Sequence, residues 1–473
     1  MLRFLERISD KLSFLREYFN GKWYVATVCA MVLLGHVAAL DFYTIILGAL
    51  LFTVALLTCD TARPAIPFVL TFVYQLSVKN SPGFPSFSDY FFQGWRLAII
   101  VVFGVILLAG FVCFVLRTRM FSHLRFCEAY LLIPLLVLSA GFVLNGAFSS
   151  GWSFSGLIFG VLQAFAYTML YLFFLCGLRR EDTEELTDYF VTVSAFSAVL
   201  LILQVAGIYL TSDNIIADGS VVKESIVFGW GIWNTAGVCL AVLIPMCFLG
   251  AYRAKKPYAY LALAAITFGA AVLTLSRNAL LFGAIAFAFC IIVCCFGKKN
   301  RRVFVCVTAA GVLLVIGGLF LFREKISVIL ADFLERGFSD NGRYVLWETG
   351  INNFLDSPIF GVGFFAFVSD TFETVTFMPD MAHQTIVQLL SAMGIVGLVS
   401  YGFYRFKTLT LFLKRPSVEK LLLLGSVLVL LFESLLDNFV FYFLPLFHYT
   451  LSLVIAEKSL REANLEKAPD RVE

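Results

Sequence analysis

Arg277 stands in Thr274-Leu275-Ser276-Arg277-Asn278, a short polar interruption between two apolar stretches that would otherwise read as one. A charge at that depth of a bilayer is costly and is functional by default. Either the guanidinium snorkels to lipid phosphates, or it forms an internal anion site. It suits the second task because its planar fork binds two phosphate oxygens and keeps its charge in an apolar setting. Ser276 opens the following helix, whose first amides and positive dipole end add to the attraction. Arg343, with Trp347 one turn later, is either a solvated charge stacked on its helix neighbour or a second cation for the same anion. Arg336 is a weaker case of the same kind. His383 precedes an apolar segment, whereas the other three of the 4 His fall within apolar segments or an inner loop. It either caps a helix or, as a neutral imidazole, removes a proton from an attacking hydroxyl. Glu433 and Asp437, one helical turn apart, either orient that imidazole or a bound sugar, or neutralise Arg277 in a structural ion pair.

The elements that must carry these residues follow from composition. Of 473 residues, 60% are apolar and 14% charged, with 52 Phe and a mean hydropathy of +0.90. Soluble domains run about 45–50% apolar and about 25% charged. A water-soluble enzyme, a disordered chain and a secreted disulfide scaffold are therefore excluded. The expected fold is all-α, a polytopic helical membrane protein. A spanning helix needs roughly 20 mostly apolar residues. Fourteen segments qualify: 23–40, 42–59, 64–79, 97–116, 127–147, 153–178, 189–210, 234–252, 257–275, 278–297, 303–322, 384–404, 419–436 and 438–456. Two pairs, 23–40/42–59 and 419–436/438–456, are tight hairpins, so the expectation is about 12–14 transmembrane helices. With both termini cytoplasmic, 27 of the 35 Lys and Arg fall on the inner side and 8 on the outer, as cytoplasmic loops require. That count places Arg405 among the inner basic residues.

The expected organisation is a cytoplasmic amphipathic segment over 1–22, a transmembrane bundle over 23–322 (about 11 helices), an extracytoplasmic loop over 323–383, C-terminal spans over 384–456 and a cytoplasmic tail over 457–473. In 1–22, Leu2, Leu5, Ile8, Leu12, Leu15 and Phe19 alternate with Arg3, Arg7, Lys11 and Arg16, which suits either a helix lying on the inner leaflet or an extension of the first span. The long loop predicts its own helix from about Gly342–Arg343, with an apolar face of Val345, Leu346, Ile351, Phe354 and Leu355 and a stop at Ser357-Pro358. Gly361-Val362-Gly363 then turns the chain. Long structured loops are often functional, so this segment reads as a lid over the bundle. The net charge of +3 is small and says nothing about nucleic acid, and no nucleic-acid partner is expected; no zinc-like Cys/His spacing or phosphate-binding Gly-rich loop occurs, and no metal and no cofactor is expected.

Taken together, Thr274-Leu275-Ser276-Arg277, Arg343-x-x-x-Trp347, Pro358-x-x-Gly361-x-Gly363, Ala382-His383 and Gly394-Ile395-x-Gly397 resemble the bacterial O-antigen ligase and O-antigen polymerase (Wzy-type) superfamily. The resemblance covers roughly residues 230–405; before that the chain matches only as an apolar array. It departs at His383-Gln384, where the family often has His-Asn, and Gln keeps the amide. The resemblance implies a metal-independent glycosyltransferase of the cytoplasmic membrane. It would take an undecaprenyl-pyrophosphate-linked glycan donor, act on a glycan or glycolipid acceptor and work with a possible chain-length regulator. By that analogy Arg277 and Arg343 hold the pyrophosphate and His383 activates the acceptor hydroxyl. The competing readings are a lipid-linked oligosaccharide flippase, a non-catalytic scaffold or sensor, and a peptidoglycan-type glycosyltransferase. A flippase requires charges deep in both halves, whereas here they gather at the outer ends of the later spans.

Overall fold

The computed structural model describes residues 12–38, 40–72, 94–122, 129–211, 231–310, 343–366, 382–436 and 443–465, with three two-residue strands at 216–217, 220–221 and 227–228. These residues form helices joined by turns and short connections, with two antiparallel ladders, β1 (Ile216–Ala217) with β2 (Ser220–Val221) and β3 (Val227–Phe228) with β4 (Gly231–Ile232). The helices are α1 (Arg16–Asn20), α2 (Lys22–Val37), α3 (Asp41–Thr58), α4 (Gly94–Thr118), α5 (Leu132–Phe148), α6 (Phe154–Gly177), α7 (Thr183–Thr211), α8 (Trp233–Arg253), α9 (Tyr258–Leu273) and α10 (Arg277–Phe296). A helix α11 over 301–310 follows, then α12 (Arg343–Asp356), α13 (Thr385–Leu413), α14 (Val418–Glu433) and α15 (Phe443–Leu465). Twelve of the fourteen expected spans coincide with one of these helices; the described part of 64–79 is a short α turn (Ala65–Pro67) running into a π-helical turn (Phe68–Phe72), and 303–322 falls largely outside the described residues.

The protein is a polytopic helical membrane protein. Among the described residues six helices (α4, α6, α7, α8, α10 and α13) are long and apolar enough to cross a bilayer, and four shorter apolar helices lie in α2, α3, α5 and α9. Their surfaces make the same point. In α4 only Gly110 and Phe114 are buried, while Leu97, Val101, Val105, Leu108 and Val112 are exposed around the helix. Such a surface needs hydrocarbon, not water, around it.

The core is built round α8, whose residues from Ala236 to Ala251 are all buried. It is apolar on every side, as a helix enclosed by others must be, and it packs on α7, α9, α10 and α14. Pro245 removes one backbone donor inside α8. Ser426 of α14 donates to the Val242 carbonyl at 2.8 Å, satisfying an acceptor beside that gap.

Charged side chains gather at one end of the bundle. Arg63 meets Glu181 at 3.2 Å, Arg253 meets Asp188 at 2.5 Å and Glu419 at 2.7 Å, and Arg16 meets Asp60 at 3.1 Å. Lys458 donates to the carbonyls of Arg179 and Glu181 at 3.2 and 3.0 Å. Within the N-terminal segment, Phe19 of α1 is buried and Gly21, extended at φ −101° and ψ 172°, separates α1 from α2. Residues 1–11 of that segment lie outside the described residues.

One span departs from the sequence expectation. The 384–404 segment is not a single straight helix. Gly394 in α13 has φ 61° and ψ −155°, which breaks the ladder. The broken ladder is completed by residues 358–363, which follow α12. The amides of Val362 and Gly363 donate to the carbonyls of Ser391 and Ala392 at 2.8 and 3.1 Å, and those of Ile395 and Val396 donate to Pro358 and Ile359 at 2.9 and 3.2 Å. Irregular backbone at membrane depth survives only where other protein supplies its hydrogen bonds. The expected turn at Gly361–Gly363 is therefore also a plug in a helix break.

Candidate active site

Arg277 is the first residue of α10. Thr274 ends the preceding helix by donating to the Ala271 carbonyl at 2.7 Å, and Leu275 takes a left-handed φ of 56°. Ser276 caps α10 with its hydroxyl oxygen, which accepts the Ala279 amide at 3.4 Å. Thr274 and Ser276 are both buried, so Ser276 positions Arg277 from beneath. Gly237 of α8 permits this approach: a Cβ there would meet Ala279 at 2.6 Å and Thr274 Oγ1 at 2.8 Å. The Arg277 side chain itself is half-buried at the helix start.

Arg343 opens α12 and is also half-buried. The face α12 turns inward differs from the expected one. Leu346 and Gly350 are buried, whereas Val345, Ile351 and Leu355 are exposed. Among the described residues no cation–π contact joins Arg343 to Trp347; the ring partner of Trp347 is Tyr344, edge-on at 5.4 Å. Trp347 uses its indole instead, with Nε1 donating to the Ala382 carbonyl at 3.0 Å. The Ala382 amide donates to Gln388 Oε1 at 2.7 Å. These two bonds hold the residue before His383 from both sides.

His383 is half-buried and has φ 47°, a conformation that a non-glycine residue adopts at a cost and one that clusters at functional sites. The capping role weighed for it belongs to Gln384, whose Oε1 accepts the Val387 amide at 2.5 Å. Past the cap, the Thr385 amide donates to the Ser434 carbonyl at 3.0 Å, tying the start of α13 to the end of α14. Glu433, fully buried, is the last residue of α14, so the helix stops before the expected 436. Phe432 next to it stacks on Phe282 of α10, with ring centres 5.9 Å apart. The starts of α10 and α13 and the end of α14 thus meet at the end of the bundle opposite the ion pairs. Trp347 joins the start of α12 to them. These bonds bring Trp347, the backbone beside His383 and the end of α14, which carries Glu433, together; Arg343 opens the same helix as Trp347, and Arg277 opens α10, which packs on α14. Arg336 and Asp437 lie outside the described residues.

Sequence reading missed two groups here. Asn145 of α5, fully buried, donates through Nδ2 to the Phe360 carbonyl at 2.6 Å and to that of Ala392. It clasps the plug and the broken helix at once. A polar amide near the end of an apolar span was its only signal. Asn353 of α12 adds a bond to Ser391 Oγ at 3.1 Å. Arg405, grouped by sequence with inner-loop basic residues, instead lies within α13.

Residues 262–402 match the family model described as O-antigen ligase. The match supports the O-antigen ligase and polymerase superfamily, and with it a glycosyltransferase-like role in surface polysaccharide synthesis. It takes in Arg277, Arg343, Trp347, His383 and the plug; Glu433 and Arg405 lie beyond it. No curated protein matches the chain.

Proposed function

We propose, with the O-antigen ligase and polymerase superfamily as premise, that this chain transfers a glycan from an undecaprenyl-pyrophosphate carrier to an acceptor sugar hydroxyl. The reaction takes place at the outer face of the bacterial cytoplasmic membrane, with both termini and the ion-paired end inside. The observation that carries this reading is the bonded path from Trp347 through Ala382 to His383 and on through Thr385 to Ser434. That path ties the backbone on either side of His383 to α12, which opens at Arg343, and to the end of α14, which carries Glu433, and so supports this reading.

In the proposed step the acceptor oxygen bonds to the anomeric carbon as the bond from that carbon to the pyrophosphate oxygen breaks. His383 takes the hydroxyl proton, and Glu433 orients the imidazole or the sugar. The electron pair leaves with the pyrophosphate, whose growing charge Arg277 and Arg343 stabilise from fixed positions. The carrier is already activated, so no nucleotide is consumed. Arg336 and Asp437 are proposed as further contacts to the donor, and no metal or cofactor is assigned a role.

The test is the glycolipid profile of a deletion strain carrying each variant. His383→Ala and Arg277→Ala are expected to be present in membranes at normal levels and to lose transfer by ~10²-fold or more. Full activity in either refutes its role. Single repeat units still reaching the final acceptor indicate a polymerase, and polymer stranded on the carrier indicates a ligase.

A further inference from the structure

Arg405 lies inside the membrane bundle and takes no part in the centre just described. Its guanidinium carbon sits 4.6 Å from the ring centre of Tyr401, 5.3 Å from that of Tyr404 and 4.7 Å from that of Tyr449. Nε and Nη1 are shut off from solvent and have no hydrogen-bond partner among the described residues. None of the ion pairs among those residues includes it. The same arginine lines a small cavity of about 20 Å³, with Tyr167, Tyr449, Leu430, Leu431, Leu446 and Ser434. Ser434 is the residue whose carbonyl accepts the Thr385 amide, so one wall of the cavity adjoins the His383 segment.

An intramembrane arginine is costly, and ring faces offset only part of the lost hydration. Water would satisfy the free N–H groups yet leave the charge uncompensated. An oxyanion does both, and the guanidinium fork is shaped for one. The space is a small fraction of the about 300–1,000 Å³ of a whole-ligand site. It therefore suits a single charged group rather than an oligosaccharide.

We propose that this cavity is an anion subsite in which Arg405 binds one oxyanion group, a phosphate or a carboxylate, of a ligand entering from the His383 side. The proposal rests on the cavity and not on the transfer reaction, so either can fail without the other. The group comes from a phosphate-bearing lipid or from an acidic sugar, and two probes separate these sources.

Full-length protein carrying Arg277→Ala and Arg343→Ala, which silence the other cations, is placed in zwitterionic lipid nanodiscs. It is titrated with inorganic pyrophosphate and separately with glucuronate, and thermal unfolding is followed. One probe is expected to raise the melting temperature. A response to pyrophosphate assigns the lipid phosphate, and a response to glucuronate assigns the acidic sugar. Adding Arg405→Met is expected to weaken that binding ~tenfold or more. Arg405→Lys keeps a charge in the ring cage, and hence the fold, but loses the two-pronged grip; it is expected to bind severalfold more weakly. The proposal is overturned if neither probe shifts the parent, or if Arg405→Met or Arg405→Lys binds as the parent does.

Discussion

At the scale of single residues, His383 combines a side chain suited to proton transfer with a backbone conformation that resists it. The two can be separated. His383→Gly relieves the left-handed φ of 47° and removes the imidazole, so it is expected to be at least as stable as the wild type and inactive. His383→Ala keeps the backbone cost and is expected to unfold about 1 kcal/mol more easily than His383→Gly, measured by thermal unfolding in detergent. Trp347→Phe retains a ring but loses the bond to the Ala382 carbonyl. Transfer is expected to fall about tenfold with stability lowered by about 1 kcal/mol; an unchanged rate would show that Ala382 is held by other means. Arg277 and His383 were legible in the sequence because a lone charge or imidazole stands out against apolar neighbours. Ser276 and Trp347 were legible only as residues of interest. Their work as cap and as clasp depends on which partner the fold delivers.

At the scale of elements, the break in α13 and the plug that fills it form one device. A Cβ on Gly361 would meet the Ala392 carbonyl carbon at 2.4 Å, and one on Gly394 would meet the Ile359 carbonyl oxygen at 2.5 Å. Both glycines also have positive φ, 72° and 61°. Backbone cannot give way as a side chain can, so Gly361→Ala and Gly394→Ala are each expected to cost about 3 kcal/mol or more and to abolish transfer. Protein recovery and thermal unfolding read the first effect, and glycolipid profiles the second. Asn145→Leu keeps the volume but leaves the Phe360 carbonyl without its side-chain donor and removes one of the two donors to the Ala392 carbonyl. An expected cost of about 1–3 kcal/mol follows, with activity falling more than stability because the plug shifts against His383. The motif Pro358-x-x-Gly361-x-Gly363 announced a turn. That the turn would lie inside another helix was not readable, because its partners sit far along the chain at Asn145 and Ser391.

At the scale of the whole molecule, the two ends of the bundle do different work. One end is closed by ion pairs, the other by hydrogen bonds between helix ends and the plug. Arg253, mostly buried, ties α7 to α14 through Asp188 and Glu419, both more exposed. Arg253→Met is expected to lower stability by about 1–2 kcal/mol, discounted for that exposure, while transfer per folded molecule stays near the wild-type value. Equal losses of rate and stability would indicate that the ends are coupled. The position of Arg405 shows the limit of counting charges. Its neighbours along the chain, Lys407, Lys414 and Arg415, made a basic loop the natural reading, yet a long α13 carries Arg405 back among the rings of Tyr401, Tyr404 and Tyr449.

The sequence by itself determined the solvent, the secondary structure and most helix positions, because each of these is a local property of runs of apolar residues and the charges that interrupt them. It also marked the cations and the histidine. Tertiary structure alone decided which helix ends meet, where α13 breaks and what fills the gap. It also set which face of α12 turns inward and which arginine ends in a cavity. Those outcomes depend on hydrogen bonds and packing between residues tens to hundreds of positions apart, and no local pattern encodes them.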